Sequence, residues 1–292
     1  MAKLSQSEIE EYRSQGFLVL KNKIDPEALE TARKLIVELV NKFARDYLRD
    51  GKISSLYEDE TFERRLAKIN EEHEIETRNW RLIAELGTPE SFRLVVHPEI
   101  LDIIELLIGP EIAWTSSYSV RPKLPKHELT AFPWHQDSQY YGEKTRHIHV
   151  VSVWIPLVDV DERNGCLYVI PKSHTWGLLK GARGEDRNVR TFEDVEKRGE
   201  EVLLPMKKGD ILLFSNLLFH TSKYNTTNTV RWSVDLRYVA PPDSRELTDQ
   251  EREGYETLTK SHGGMAPITV RSTVAENIAS LEQLRDYVAG RH

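Results

Sequence analysis

Cysteine is nearly absent. Cys166 stands alone in 292 residues, so no intrachain disulfide and no cysteine-based zinc site can form. A single thiol fits a reducing compartment, and the expected location is cytoplasmic. Long apolar runs are missing too. No stretch approaches the ~20 residues of a membrane-crossing helix, and Met1–Ser5 holds no apolar signal core. The last residues, Gly290-Arg291-His292, are not a peroxisomal Ser-Lys-Leu signal. Basic residues are outnumbered, 40 against 47 acidic, and they are scattered, which argues against nucleic acid or an anionic membrane as partner. There is no phosphate-cradling glycine loop, no Ser-His-Asp grouping, no internal repeat and no low-complexity tract. Apolar residues still make up 39%, enough for a sizeable core.

The first part of the chain, 1–110, reads as mainly helical. Ser5-Gln6-Ser7-Glu8 is a capping box opening a short helix that Gly16 ends, and Phe17–Leu20 follows as a buried strand. Asp25-Pro26 starts a longer helix, with Leu29, Ala32, Leu35, Ile36, Leu39 and Val40 at helical spacing. Residues 50–85 are highly charged, and Glu71–Glu74 reads as a solvated helix face. Pro98–Ile108 is an amphipathic helix stopped by Gly109-Pro110.

Beyond Pro110 the pattern changes to short β-rich runs: 112–120, 131–135, 148–155, 166–170, 201–205, 211–214 and 230–239. Turns such as Arg163-Asn164-Gly165 and Lys208-Gly209-Asp210 separate them, and several short strands of this kind predict a sandwich or barrel over 111–242. Residues 175–200 break in with charge and glycine and read as a mobile lid over one end of the barrel. The extension 243–292 reads as polar and loop-like, with Ser280–Gln283 capping a last helix. The whole is expected to be one domain.

The chemistry centres on Phe132-Pro133-Trp134-His135-Gln136-Asp137. In an extended strand, residues two apart share a face, so His135 and Asp137 can aim at one point. His220 ends a distant apolar run, and Arg231 follows on the next strand. Two histidines and a carboxylate with open positions are the ligand set of non-haem Fe(II) oxygenases. Three positions of an octahedral iron stay free, two for the 2-oxo acid end of 2-oxoglutarate and one for dioxygen. Arg231 presents a permanently charged fork to the far carboxylate, and Ser222, two after His220, can add a hydroxyl.

These residues, with Trp154–Leu157, Asp161–Leu167, Ile170–His174 and Gly209-Asp210, make the chain resemble the phytanoyl-CoA dioxygenase family of Fe(II)- and 2-oxoglutarate-dependent oxygenases, over roughly residues 90–238. The resemblance implies an α+β fold with a double-stranded β-helix (jelly-roll, cupin-like) core and flanking N-terminal helices. It implies iron ligands at His135, Asp137 and His220 and a 2-oxoglutarate clamp at Arg231 and Ser222. It also implies co-substrate contacts at Gln136 and Trp154, and a further one at Arg81. One departure is Lys172, where relatives carry the glycine of Pro-Gly-Ser-His.

The expected reaction hydroxylates an unactivated C–H bond of a small molecule, with succinate and carbon dioxide as co-products. Desaturation or ring closure in natural-product biosynthesis is the alternative, and a non-catalytic jelly-roll binding protein comes from a different class. Halogenation is disfavoured, because it needs a small residue where Asp137 stands. His174 reads as a loop-orienting residue and Cys166 as a small core residue. Tyr140 and Tyr141 fit either the pocket wall or ordinary packing.

Overall fold

The computed structural model describes residues 4–75 and 88–289. Helix α1 (Gln6–Gln15) starts at the expected capping box, in which Ser5 and Glu8 satisfy each other's backbone N–H groups. Gly16 then turns the chain at φ 84°, packed so closely on the His174 imidazole that a Cβ would sit 2.3 Å from its Nδ1. Strand β1 (Phe17–Leu20) and helix α2 (Pro26–Arg49) follow, the latter capped by Asp25 with proline in its first turn. Helices α3 (Arg65–Glu72), α4 (Pro89–Arg93) and α5 (Pro98–Ile108) follow among the described residues. Helix α3 ends at Glu72, whose carboxylate accepts from both N–H and hydroxyl of Ser54 rather than facing water alone.

The strands are β2 (Ile112–Lys123), β3 (Phe132–His135), β4 (Val151–Pro156), β5 (Leu167–Val169), β6 (Gly181–Arg183), β7 (Val189–Thr191), β8 (Val202–Leu204), β9 (Ile211–Ser215), β10 (His220–Ser222), β11 (Arg231–Val239) and β12 (Ile268–Arg271). Three short helices punctuate them: α6 (Asp137–Tyr141), α7 (Asp249–Ser261) and α8 (Leu281–Ala289). A six-stranded sheet runs β1-β9-β4-β11-β2-β12 and a four-stranded sheet runs β3-β10-β5-β8. All the pairings are antiparallel. Two such sheets enclosing a cavity, with helices on the outer side, are the α+β jelly-roll expected from the sequence.

Strand β11 shows how one sheet serves two purposes. Its residues alternate Arg231, Ser233, Asp235, Arg237 with Trp232, Val234, Leu236, Tyr238. Since successive side chains take opposite faces, one face is polar and the other apolar. The apolar face joins Leu35, Ile36 and Leu39 of α2 and Ile100 and Ile104 of α5 in one large core. Two tethers cross that interface: the Trp232 indole donates to the Phe62 carbonyl and the Tyr238 hydroxyl to that of Val95. The polar face lines the cavity.

The extension 243–292 departs from the loop expected there. Helix α7 opens on a capping box formed by Thr248 and Glu251. Tyr255 and Leu258 of that helix pack with Ala113, Ile148, Val150 and Val239 in a second core. Strand β12 pairs with β2 and covers what would otherwise be the open edge of the large sheet. The last helix does begin at Ser280, whose hydroxyl accepts from the Gln283 N–H.

Candidate active site

His135 and His220 are direct cross-strand partners of β3 and β10. Directly opposed residues in an antiparallel pair hold their side chains together, and here the ring centroids lie 4.2 Å apart. Asp137 is brought in differently from the way the sequence suggests. The strand stops at His135, and Asp137 is the first residue of α6. Gln136 between them is extended, at φ −109° and ψ 139°, and this keeps residues 135 and 137 on one side. The potential ligand atoms of the three residues all lie within 4.8 Å of one another, and all three residues are buried.

The donor set fits a metal ion. The His135 Nδ1 lies 2.7 Å from the Pro133 carbonyl oxygen and the His220 Nδ1 lies 3.1 Å from that of Leu218. A carbonyl only accepts, so each Nδ1 carries the proton and each Nε2 keeps its lone pair. Burial, together with the neighbouring His220, pushes His135 down to about 3, and burial lowers His220 as well. Both imidazoles are therefore neutral near pH 7, as ligands must be. Burial alone would raise the Asp137 carboxyl, but Arg237 and the two imidazoles together hold it below the usual carboxylate range. It is thus an anion.

Two residues hold that anion, and sequence reasoning did not give either this role. Ser152 donates to Asp137 Oδ2 at 2.7 Å, and Arg237 donates to Oδ2 at 3.1 Å and Oδ1 at 3.4 Å. Ser152 and Arg237 face each other across β4 and β11, so one register position supplies both. The signal was the alternation of β11. Positions 231, 233, 235 and 237 are polar and those between them apolar, which marks Arg237 as a residue of the cavity face.

The cavity between the sheets measures about 360 Å³. Its walls include Phe132, Trp154, Leu167 and Phe214 among apolar residues, and Ser222, Arg231, Tyr140 and Tyr141 among polar ones. Arg231 is 3% exposed, and burial brings it down only to about 10, so it remains a cation. It donates to the Ser233 hydroxyl and the Gly165 carbonyl, and lies 5.3 Å from the Trp154 ring centroid. Its Nε is buried without a partner among the described residues. A buried guanidinium with an unspent donor, on a residue that lines the cavity, is suited to a carboxylate ligand. Lys123, opposite Arg231 in register, does not compete for such a ligand, because its ammonium donates to the carbonyls of Thr130, Ser222 and Lys223.

The other expectations divide. Trp154 and Ser222 line the cavity. Gln136 does not. Its amide nitrogen donates to the Gly177 and Leu217 carbonyls, and its oxygen accepts from the Leu179 N–H. Its amide is spent on the 177–179 segment and on Leu217 in the turn before His220. Arg81 lies outside the described residues. His174 does orient a loop, facing the Arg13 carbonyl through Nε2, and Cys166 is fully buried. Lys172 takes the left-handed conformation, φ 67°, which glycine adopts more easily.

Segment 175–200 folds into the β6–β7 hairpin, and its Arg183, Arg187 and Asn188 line the cavity. Its turn end is tied down. The Tyr140 hydroxyl accepts from the Val189 N–H, and the Asn188 amide donates to the Ala131 carbonyl. Of its four expected flexible glycines, only Gly177 takes a positive φ. Gly181 and Gly199 instead permit close packing. A Cβ would meet the Arg190 carbonyl oxygen at 2.7 Å and the Ile170 side chain at 2.5 Å.

No helix among the described residues is long and apolar enough to cross a membrane. A model of the family described as phytanoyl-CoA dioxygenase matches residues 12–233. Human peroxisomal phytanoyl-CoA dioxygenase is 26% identical over 239 residues, 78% of this chain and 66% of that protein, so the chain spans slightly under two thirds of that relative. The 1-deoxypentalenic acid 11-beta-hydroxylase of Streptomyces arenae is 29% identical over 202 residues, 62% of this chain and 68% of that one. Among solved structures, EctD from S. alaskensis with 2-oxoglutarate and 5-hydroxyectoine superposes with a TM-score of 0.56 at 19% identity, over 83% of this chain and 78% of that one. The fold, the facing His-Asp-His group and the extent of the family match lead to one assignment: the chain belongs to the phytanoyl-CoA dioxygenase family, oxygenases that use Fe(II) and 2-oxoglutarate as cofactors.

Proposed function

We propose that this chain hydroxylates an unactivated C–H bond of a small molecule, with dioxygen consumed and 2-oxoglutarate converted to succinate and carbon dioxide. The observation that carries the reading is the register pairing of His135 with His220, with Asp137 turned onto the same point. These three residues hold the iron and leave part of its coordination sphere for ligands that are not protein. Bound iron, with 2-oxoglutarate, supplies the oxidising power. The protein's own residues do the rest. Arg231, through its free Nε, and Ser222 hold the far carboxylate of 2-oxoglutarate. Ser152 and Arg237 fix the Asp137 carboxylate so that it cannot swing away when the metal site fills. Phe132, Trp154, Leu167 and Phe214 keep the cavity dry, which protects a strong oxidant from side reactions. A hydroxylase among the curated relatives supports the choice of hydroxylation.

The test is succinate formation from 2-oxoglutarate with Fe(II) and oxygen, first without added substrate. His135→Ala, Asp137→Ala and His220→Ala should each abolish it and weaken Fe(II) binding. Wild-type turnover retained in any one of them removes that ligand. No succinate from the wild-type protein would favour a binding protein that has kept the fold. Once a substrate is known, a product heavier by one oxygen atom supports hydroxylation, whereas loss of two hydrogens indicates desaturation or ring closure.

A further inference from the structure

Five arginines line the cavity, at positions 121, 183, 187, 231 and 237, against two aspartates, 137 and 235. Four of these seven charges are paired internally. Arg237 holds Asp137, and Arg121 reaches Asp235 at 2.8 Å. Arg231 is deeply buried and serves the co-substrate in the reading above. Arg183 and Arg187 remain, both exposed and both on the β6–β7 hairpin at the cavity mouth, and neither forms an ion pair among the described residues. Of the two acidic side chains in that turn, Asp186 is committed elsewhere. Asp186 takes both guanidinium nitrogens of Arg190 at 2.7 Å. Glu185 is exposed and does not line the cavity.

The two arginines are also held in place. The Arg183 guanidinium lies 5.4 Å from the Tyr140 ring centroid, and the hydroxyl of the same tyrosine receives the Val189 N–H of the facing strand. Arg187 has φ 62°, a left-handed conformation that is unfavourable for a side-chain-bearing residue and that glycine or asparagine adopts more easily. Its N–H closes the turn on the Gly184 carbonyl. An arginine kept at a strained position beside a cavity points to a use for its charge. The protein as a whole has a net charge of −7, so this positive mouth is a local feature and not a general one.

We propose that the substrate carries an oxyanion, either a carboxylate or a phosphate, and that Arg183 and Arg187 bind it at the mouth of the cavity. The rest of the substrate then extends inward toward His135, Asp137 and His220. This rests on the oxygenase reading above and adds the substrate class to it. Guanidinium forks suit both oxyanions. The cavity volume of about 360 Å³ is near the lower end for small-molecule sites and must also take 2-oxoglutarate, so the part that enters is small.

The experiment uses the full chain loaded anaerobically with Fe(II) and 2-oxoglutarate, with calorimetric titration of matched probes. Hexanoate is compared with hexanamide, and hexyl phosphate with hexanol. Binding of 2-oxoglutarate by the wild-type protein is read first, and its absence would sink the oxygenase reading, separately from this one. At least one anion should bind about tenfold or more tightly than its neutral partner, and which anion does so separates carboxylate from phosphate. Arg183→Gln with Arg187→Gln should remove the preference. Arg183→Glu with Arg187→Glu should reverse it, so that hexylamine binds better than either anion, a result that a purely structural role would not give. Equal binding of anions and neutral partners, no binding of either anion, or a preference that survives the double glutamine variant would each overturn the proposal.

Discussion

Arg231 is a cation with almost no water around it, and its Nε–H has no partner among the described residues. Its removal should therefore affect the co-substrate more than the metal. In Arg231→Ala the bound carboxylate loses its buried counter-charge, a loss worth about 3–5 kcal/mol, or a rise of about 100-fold or more in the 2-oxoglutarate requirement. Fe(II) binding should change much less, because Arg231 makes no contact with the three candidate ligands. Arg231→Lys should recover only part, since a point charge replaces a fork. Titration of 2-oxoglutarate against succinate formation checks this, and an unchanged curve in the alanine variant would shift the role to Arg121. At this scale the sequence showed what lies close in sequence or in a short motif. His-x-Asp, the distal His220 and Arg231 were all legible. Ser152 and Arg237 were not given their role, because what joins them to Asp137 is the β4–β11 register, which no local spacing reveals.

Asn216 decides where a whole element sits. It lies in the turn between β9 and β10 and is 1% exposed. Its Nδ2 donates to the Ser138 hydroxyl and to the carbonyls of Thr145 and Ile148, and its Oδ1 accepts from the Val150 N–H. Its backbone carbonyl also accepts from the Ser138 N–H. These bonds fasten α6, and with it Asp137, to the end of the large sheet. Asn216→Ala leaves several buried polar groups unpaired, each costing about 1–3 kcal/mol, so a loss of about 2–5 kcal/mol is expected with partial relaxation. Urea unfolding measures the loss, and metal titration should show weaker Fe(II) binding because α6 is no longer fixed. A stability change under about 0.5 kcal/mol would show that α6 is held by other means. Elements as such were legible where pattern and punctuation agreed, as in α1, α2, α5 and most of the jelly-roll strands. Segment 175–200 pairs with itself as β6 and β7, and the close packing of its Gly181 and Gly199 depends on partners that no local pattern reveals.

The extension after Val239 closes the molecule, and here sequence and structure differ most. The Thr248–Glu251 capping box was present to be read, but the segment around it is polar and β12 is only four residues long, so neither stood out. Burial gives these elements their meaning: β12 covers an edge of the large sheet, and α7 caps a small core that also includes residues from β2 and β11. Such non-local packing leaves no periodic trace strong enough to be seen one stretch at a time. It makes a measurable claim about the whole chain. Leu258 is 1% exposed in that core. Truncating it to alanine removes buried methyl groups and leaves a cavity, which typically costs about 2–5 kcal/mol. At roughly 2–4 °C per kcal/mol for a chain of this size or slightly smaller, the melting temperature should fall by about 4–20 °C. The drop should come as one cooperative transition if the small core and the jelly-roll unfold together, and calorimetry can separate that from a small early step followed by the main one. A loss under about 1 °C, or an early step that leaves the main transition unmoved, would mean that the extension is an appendage and the oxygenase fold stands without it.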